Sequence, residues 1–98
     1  MKRDEALQRL RASRARLDAF PIERLAVFGS VARGEATESS DVDILVEFEP
    51  GARVGLFEFA RLQRTLGEIL GCTVDLVTHD ALRQEMRAQI LQEAVYAA

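Results

Sequence analysis

Residues 29 to 43 read GSVARGEATESSDVD, and their spacing constrains this chain more than any other stretch. Gly29-Ser30 closes an apolar run, LAVF. After ten intervening residues, Asp41-Val42-Asp43 opens another, ILVEF. DVDILVEF reads as a strand, and residues two apart on a strand share a face, so Asp41 and Asp43 point the same way. Their Cα atoms would lie roughly 6.6 Å apart at strand rise. Carboxylates at that separation can converge on two metal ions roughly 4 Å apart, the two-metal arrangement of phosphoryl transfer. Gly29-Ser30 reads as a strand-to-helix turn whose free backbone N–H groups and serine hydroxyl can hold phosphate. The plain alternative is a turn followed by acidic strand-edge residues.

The rest of the chain alternates helix and strand signals. Residues 4 to 19 carry Ala6, Leu10, Ser13, Leu17 and Phe20 at helical spacing, with Asp4 as a cap and Pro21 as a stop. Arg24 to Phe28 reads as a strand, and Ser30 to Arg33 as one helical turn ended by Gly34. Glu35 to Ser40 is a polar loop, and Asp41 to Phe48 is a strand buried on both faces at Ile44, Leu45 and Val46. Pro50-Gly51 marks a turn. Gly55 to Leu70 is an amphipathic helix with Leu56, Phe59, Ala60, Leu66 and Leu70 inward, closed by Gly71. Gly67 inside it costs about 1 kcal/mol against alanine, so packing must hold that helix. Thr73 to Val77 is a third strand. Asp80 caps a last helix from Ala81 to about Val95, with Leu82, Met86, Ile90 and Val95 as core positions.

The expected order is α-β-(short α)-β-α-β-α around a small mixed sheet of about three strands, an α/β (α+β) fold. A helix of crossover length joins the second and third strands, so they should be parallel with a right-handed connection. The first two strands share only a short connection and should be antiparallel neighbours. Ser30, Asp41 and Asp43 then lie at one end of the sheet.

Other residues are weaker candidates. Asp75 stands alone in the apolar segment TVDLV, where a buried carboxylate is costly unless paired or metal-bound. On a strand beside the second, it can face Asp41 and Asp43; the plain alternative is an edge carboxylate in water. Arg33 follows Ser30 by three residues, and its fork of donors suits phosphate; it can equally be a solvated loop arginine. Glu47 reads as a strand-end carboxylate. His79 has no partners for a zinc site or triad. Ser39 and Ser40 read as turn residues that set Asp41, not nucleophiles.

Gly-Ser, then Asp-x-Asp, then an aspartate on a later strand resembles the nucleotidyltransferase superfamily of the DNA polymerase β type. Within it the chain resembles the minimal nucleotidyltransferase (MNT) family. Gly29, Ser30, Asp41, Asp43 and Asp75 match its pattern, and the resemblance runs from about Leu25 to Leu76. It implies a polymerase β palm-like fold, with Asp75 completing a metal triad and helping to deprotonate an acceptor hydroxyl. It also implies ATP as donor and a HEPN-domain ribonuclease toxin as partner, modified on a tyrosine and silenced. The primary expectation is a transferase holding two Mg²⁺ on Asp41, Asp43 and Asp75, with Gly29, Ser30 and Arg33 on the nucleotide phosphates. Two others stand beside it. One is an antitoxin that blocks its toxin by binding alone. The other is a small-molecule nucleotidyltransferase, which usually carries a further acceptor domain.

Composition narrows the classes. Ninety-eight residues, 48% hydrophobic and 30% charged, suit one globular domain, here 1–98, and not a disordered segment. A net charge of −3 is the wrong sign for direct nucleic-acid binding but suits a site that holds cations. Seven basic residues nevertheless fall in the first quarter, on a helix that could dock an acidic partner. The single cysteine, Cys72, excludes an internal disulfide and reads as a reduced core thiol. With no apolar leader and no membrane-length segment, a cytoplasmic protein in a hetero-oligomer is expected.

Overall fold

The computed structural model describes residues 1–37 and 39–97; Glu38, in the expected polar loop, lies outside them. The elements in chain order are α1 (Arg3–Ala12), α2 (Arg14–Leu17), β1 (Ile22–Phe28), α3 (Gly29–Arg33), β2 (Val42–Phe48) and α4 (Leu56–Leu70). Then come β3 (Val74–Thr78), a 3₁₀ turn (His79–Ala81), α5 (Gln84–Glu93) and β4 (Val95–Tyr96).

The sheet order is β3-β2-β1-β4. As expected, β1 and β2 are antiparallel and β2 and β3 parallel. The fourth strand was not expected. β4 pairs antiparallel with β1 through Ala26↔Tyr96 and Val27↔Val95, so Val95 is a strand residue and not part of the last helix. That helix is also shorter at its start. Arg83, not Asp80, is its N-cap residue, and Leu82 and Arg83 are extended. The unpaired edge of β1 accounts for the change: its free backbone groups bond the last residues, ending with Ala97 N–H donating to Leu25 O at 2.8 Å.

The N-terminal helix is likewise interrupted. Ser13 falls between α1 and α2, with its N–H shared by the Arg9 and Leu10 carbonyls. Leu7, not Ser13, is buried with Ala6, Leu10, Leu17 and Phe20. Lys2 stands at the N-cap and Asp4 inside the first turn, where its charge still suits the helix dipole. The basic residues of this segment are partly used internally. Arg9 donates to Leu70 O at 2.8 Å, Arg16 pairs with Glu68 at 2.6 Å, and Arg11 donates to Tyr96 O at 3.2 Å. They tie α1 and α2 to α4 and to β4.

Strand alternation divides the core in two. Leu25 and Val27, then Val42, Ile44 and Val46, then Val74 and Leu76 face the larger cluster with α1 and α4. Ala26, Phe28 and Leu45 face a smaller one, covered by Leu82 and Ile90. Ile90 is the sole buried residue of α5 among those described, so this second face is thinly covered. Met86, expected inside, is 47% exposed.

The apolar stripe of α4 is centred on Leu62, Leu66 and Leu70, all fully buried. Ala60 lies about a third of a turn from Leu66 at helical spacing and is exposed. Leu56, also expected inside, is 80% exposed. Gly67 has a local reason: a Cβ there would meet Cys72 O at 3.2 Å, where the chain folds back after the helix. Leu62→Ala is therefore expected to lower stability by about 2–5 kcal/mol through a core cavity. Leu56→Ala should stay within about 0.5 kcal/mol of wild type. Urea denaturation of both variants tests the assignment; equal losses would put Leu56 back in the core.

Candidate active site

The alternation that buries Val42, Ile44 and Val46 turns Asp43 to the thinly covered face. Asp75 has the same phase on β3 and is exposed there. The register sets Asp43 opposite Asp75 on one side and opposite Phe28, the last residue of β1, on the other. Asp41 lies just before β2 and is exposed. The expectation of a buried Asp75 is corrected: β3 is an edge strand and its residue 75 faces solvent.

Gly29 follows Phe28 at once and starts α3 with a φ of +72°, a left-handed conformation open mainly to glycine. Its α-carbon packs directly on Asp43: a Cβ built there would overlap Oδ2 and lie 3.0 Å from Cγ. The turn and the carboxylate are thus in contact. Ser30 is half-buried in the first turn of α3, and its carbonyl accepts from Glu35 N–H at 2.9 Å. Gly34 ends the helix with a φ of +75°. The loop before Asp41 is closed by its own hydroxyls. Ser40 Oγ accepts from Thr37 N–H at 3.0 Å, and Ser40 N–H donates to Thr37 O at 3.1 Å, so Ser40 is a turn residue as expected.

Asp43 holds its proton more tightly than an ordinary carboxyl. Burial is the main cause, followed by the negative charges of Asp75 and Asp41 and a hydrogen bond with Asp75. Arg33 works weakly in the opposite direction, which places its guanidinium within electrostatic reach. Arg33 itself is strongly held as a cation, by hydrogen bonds first to Glu35 and then to Glu93. Nε donates to Glu35 Oε2 at 2.9 Å, and Nη1 donates to both Glu93 oxygens at 3.1 and 3.2 Å.

Glu93 was not anticipated from the sequence. It is the last residue of α5, and its Oε1 also accepts from Gly29 N–H at 3.2 Å. No local motif surrounds it; only the packing of α5 beside α3 brings it to this turn.

Among the described residues, no three His, Cys, Asp or Glu side chains are grouped closely enough to hold a metal ion. The donor set still suits a hard cation. Asp41, Asp43 and Asp75 supply carboxylate oxygens; burial first and then the charges of Asp75 and Asp41 raise Asp43, and a divalent cation among them would relieve that repulsion. Glu47 and His79 lie toward the other end of the sheet, where Glu47 pairs with Arg24 in the ladder and His79 starts the 3₁₀ turn. Cys72 is a free, half-buried thiol with a pKa pushed up by burial.

A mixed sheet with a glycine turn packed on an aspartate, and a second aspartate in register beside it, defines the nucleotidyltransferase class of site. The family described as nucleotidyltransferase domain matches residues 7–97. Protein adenylyltransferase MntA of Thermococcus cleftensis is 43% identical over 79 residues, covering 81% of this chain and 78% of that protein. A solved structure of a provisionally named minimal nucleotidyltransferase is 41% identical with a TM-score of 0.79, covering 97% of this chain and 95% of that one. The chain belongs to the nucleotidyltransferase domain family and, within it, to the minimal nucleotidyltransferases. The fold also recurs in the structure of a tri-AMPylated Shewanella oneidensis HEPN toxin in complex with MNT antitoxin. That likeness is 20% identical with a TM-score of 0.66, covering 94% of this chain and 71% of that one.

Proposed function

We propose that this nucleotidyltransferase moves AMP from ATP to a tyrosine hydroxyl of a HEPN-domain toxin and so acts as its antitoxin. The observation that carries the reading is the Asp43–Asp75 register beside the Gly29 turn. The relative named as a protein adenylyltransferase supports the adenylyl group and the protein acceptor. The complex of an MNT antitoxin with an AMPylated HEPN toxin supports the partner class.

In this reading Ser30 and Arg33 receive the phosphates, Ser30 through its backbone N–H and hydroxyl, while Gly29, also expected there, shapes the turn because its own N–H donates to Glu93 Oε1. Asp41, Asp43 and Asp75 would hold Mg²⁺, two ions in the full site, which supply charge neutralisation for a polyanion and its leaving group. The acceptor oxygen attacks the α-phosphorus, the bond from that phosphorus to the bridging oxygen breaks, and pyrophosphate leaves. Asp75, exposed on β3, would help to take the hydroxyl proton. Much of the acceleration comes from holding the reactants in line and from fixed charge.

Mass spectrometry of a HEPN partner after incubation with this protein, ATP and Mg²⁺ tests the reaction. The expected product carries AMP on tyrosine; an unmodified partner overturns the reading. Binding gives an independent check. ATP should bind far more weakly in EDTA than in Mg²⁺, because three carboxylates face a polyanion. Equal affinity in titration calorimetry would remove the metal from the site.

No helix among the described residues is long and apolar enough to cross a membrane.

A further inference from the structure

Glu93 joins two groups that the nucleotide reading places in the site, Gly29 and Arg33, and it reaches them from 64 and 60 residues away in sequence. Its side chain is only 16% exposed, against 42% for that of Arg33. The carboxylate therefore lies on the protein side of the guanidinium, and solvent reaches Arg33 from the other. Glu35 takes Nε and Glu93 takes Nη1, while no described residue accepts from Nη2. The same Glu93 oxygen that bonds Nη1 also bonds Gly29 N–H, and Gly29 packs on Asp43.

We infer that Glu93 is a positioning residue, which holds the Gly29 turn and Arg33 in one geometry for the incoming triphosphate. This rests on the nucleotide-site reading above. A free arginine side chain loses much rotamer freedom when a ligand orders it. An arginine already held by Glu93 on its inner side and by the exposed Glu35 at Nε has lost that freedom before the ligand arrives. Its remaining donors, on Nη2, stay available to a phosphate. Glu93 is well placed for this because it is not on a mobile tail. It ends α5, with only Ala94 between it and β4, whose ladder with β1 anchors the backbone there. The chain after α5 thus contributes to the site without touching the reacting atoms.

The test is titration calorimetry with ATP and Mg²⁺ on the full chain, in a double-mutant cycle. Glu93→Gln keeps an acceptor for Gly29 N–H but loses the charge that holds Arg33. Its ATP dissociation constant should rise about tenfold, the scale of one lost charge-assisted hydrogen bond. In an Arg33→Ala background the same change should alter affinity less than twofold, because Glu93→Gln acts through Arg33. Glu93→Asp, which keeps the charge but is too short to span both groups, should also weaken binding. It takes the place of Glu93→Gln in the cycle if that variant fails to fold by thermal melt.

Equal losses in both backgrounds would reduce Glu93 to a structural contact and overturn the inference. Unchanged or tighter binding by Glu93→Gln would overturn it too, and would make Glu93 a competitor of phosphate for Arg33. If wild type binds ATP normally, either result leaves the nucleotide reading standing. If wild type binds no ATP, both fall together.

Discussion

Asp41→Asn combined with Asp43→Asn is expected to lower nucleotidyl transfer by about 10³-fold or more, since both side chains lose the charge that, in the proposed function, would hold cations at the transferring phosphate. The fold should survive. Asp41 is exposed and Asp43 half-buried at the end of β2, and neither belongs to the core clusters. Stability without metal should rise. Asp43 binds its proton more tightly in the folded state than the ordinary carboxyl value of 3.8. Between 3.8 and the raised value the folded state holds the extra proton, so Asp43 makes stability fall as pH rises through that window. At neutral pH the penalty is complete, and asparagine does not incur it. In EDTA the double variant should melt above wild type at pH 7, with the gap closing as pH falls toward 4. A variant that melts lower at pH 7 would show that Asp43 is not destabilised by its neighbours.

Ser30→Ala should cost less activity than the double variant, because its backbone N–H still faces the phosphate. Partner neutralisation, followed alongside partner modification, separates a transferase from an antitoxin that acts by occlusion. Full neutralisation by the double variant, with no modification by wild type, would sink the transferase.

Gly29→Ala is the second large expected effect. The φ of +72° costs an L-residue about 1–2 kcal/mol, and the new methyl overlaps the Asp43 carboxylate. Overpacking adds about 1–3 kcal/mol, so the total loss should be about 2–5 kcal/mol. Activity should fall about 100-fold even where the variant stays folded, because Asp43 must move to admit the methyl. Gly34→Ala is the control. Its φ is +75° but a Cβ there meets nothing within 4 Å. It should lose about 1–2 kcal/mol of stability and keep its activity. Comparable activity losses in both would mean that backbone strain, and not contact with Asp43, decides the effect.

The sheet pairing and the grouping at one end were legible because they depend on short-range geometry. Two aspartates two apart on a strand share a face wherever that strand lies. A thirteen-residue connection between β1 and β2 leaves few topologies open. The direction of Asp75 followed from the same period, though its solvent exposure depended on β3 being an edge. Less legible was anything set by competition between distant segments. Val95 reads as the end of the last helix but has a better partner in the free edge of β1. Leu56 and Ala60 lie on the flank of an apolar stripe, and only the placement of α4 against the sheet left them outside.

The sequence by itself determined the class of site: a glycine turn, an aspartate pair and a third aspartate on strands whose period aligns them. These are properties of spacing, and spacing survives any arrangement of the surrounding helices. Only the tertiary structure decided which sheet face stays open above the carboxylates, and that Gly29 packs directly on Asp43. It alone brought Glu93 to Gly29 and Arg33. Contacts across 60 residues depend on how burial of Ile90 and pairing of β4 position the end of the chain, and no local pattern encodes that balance.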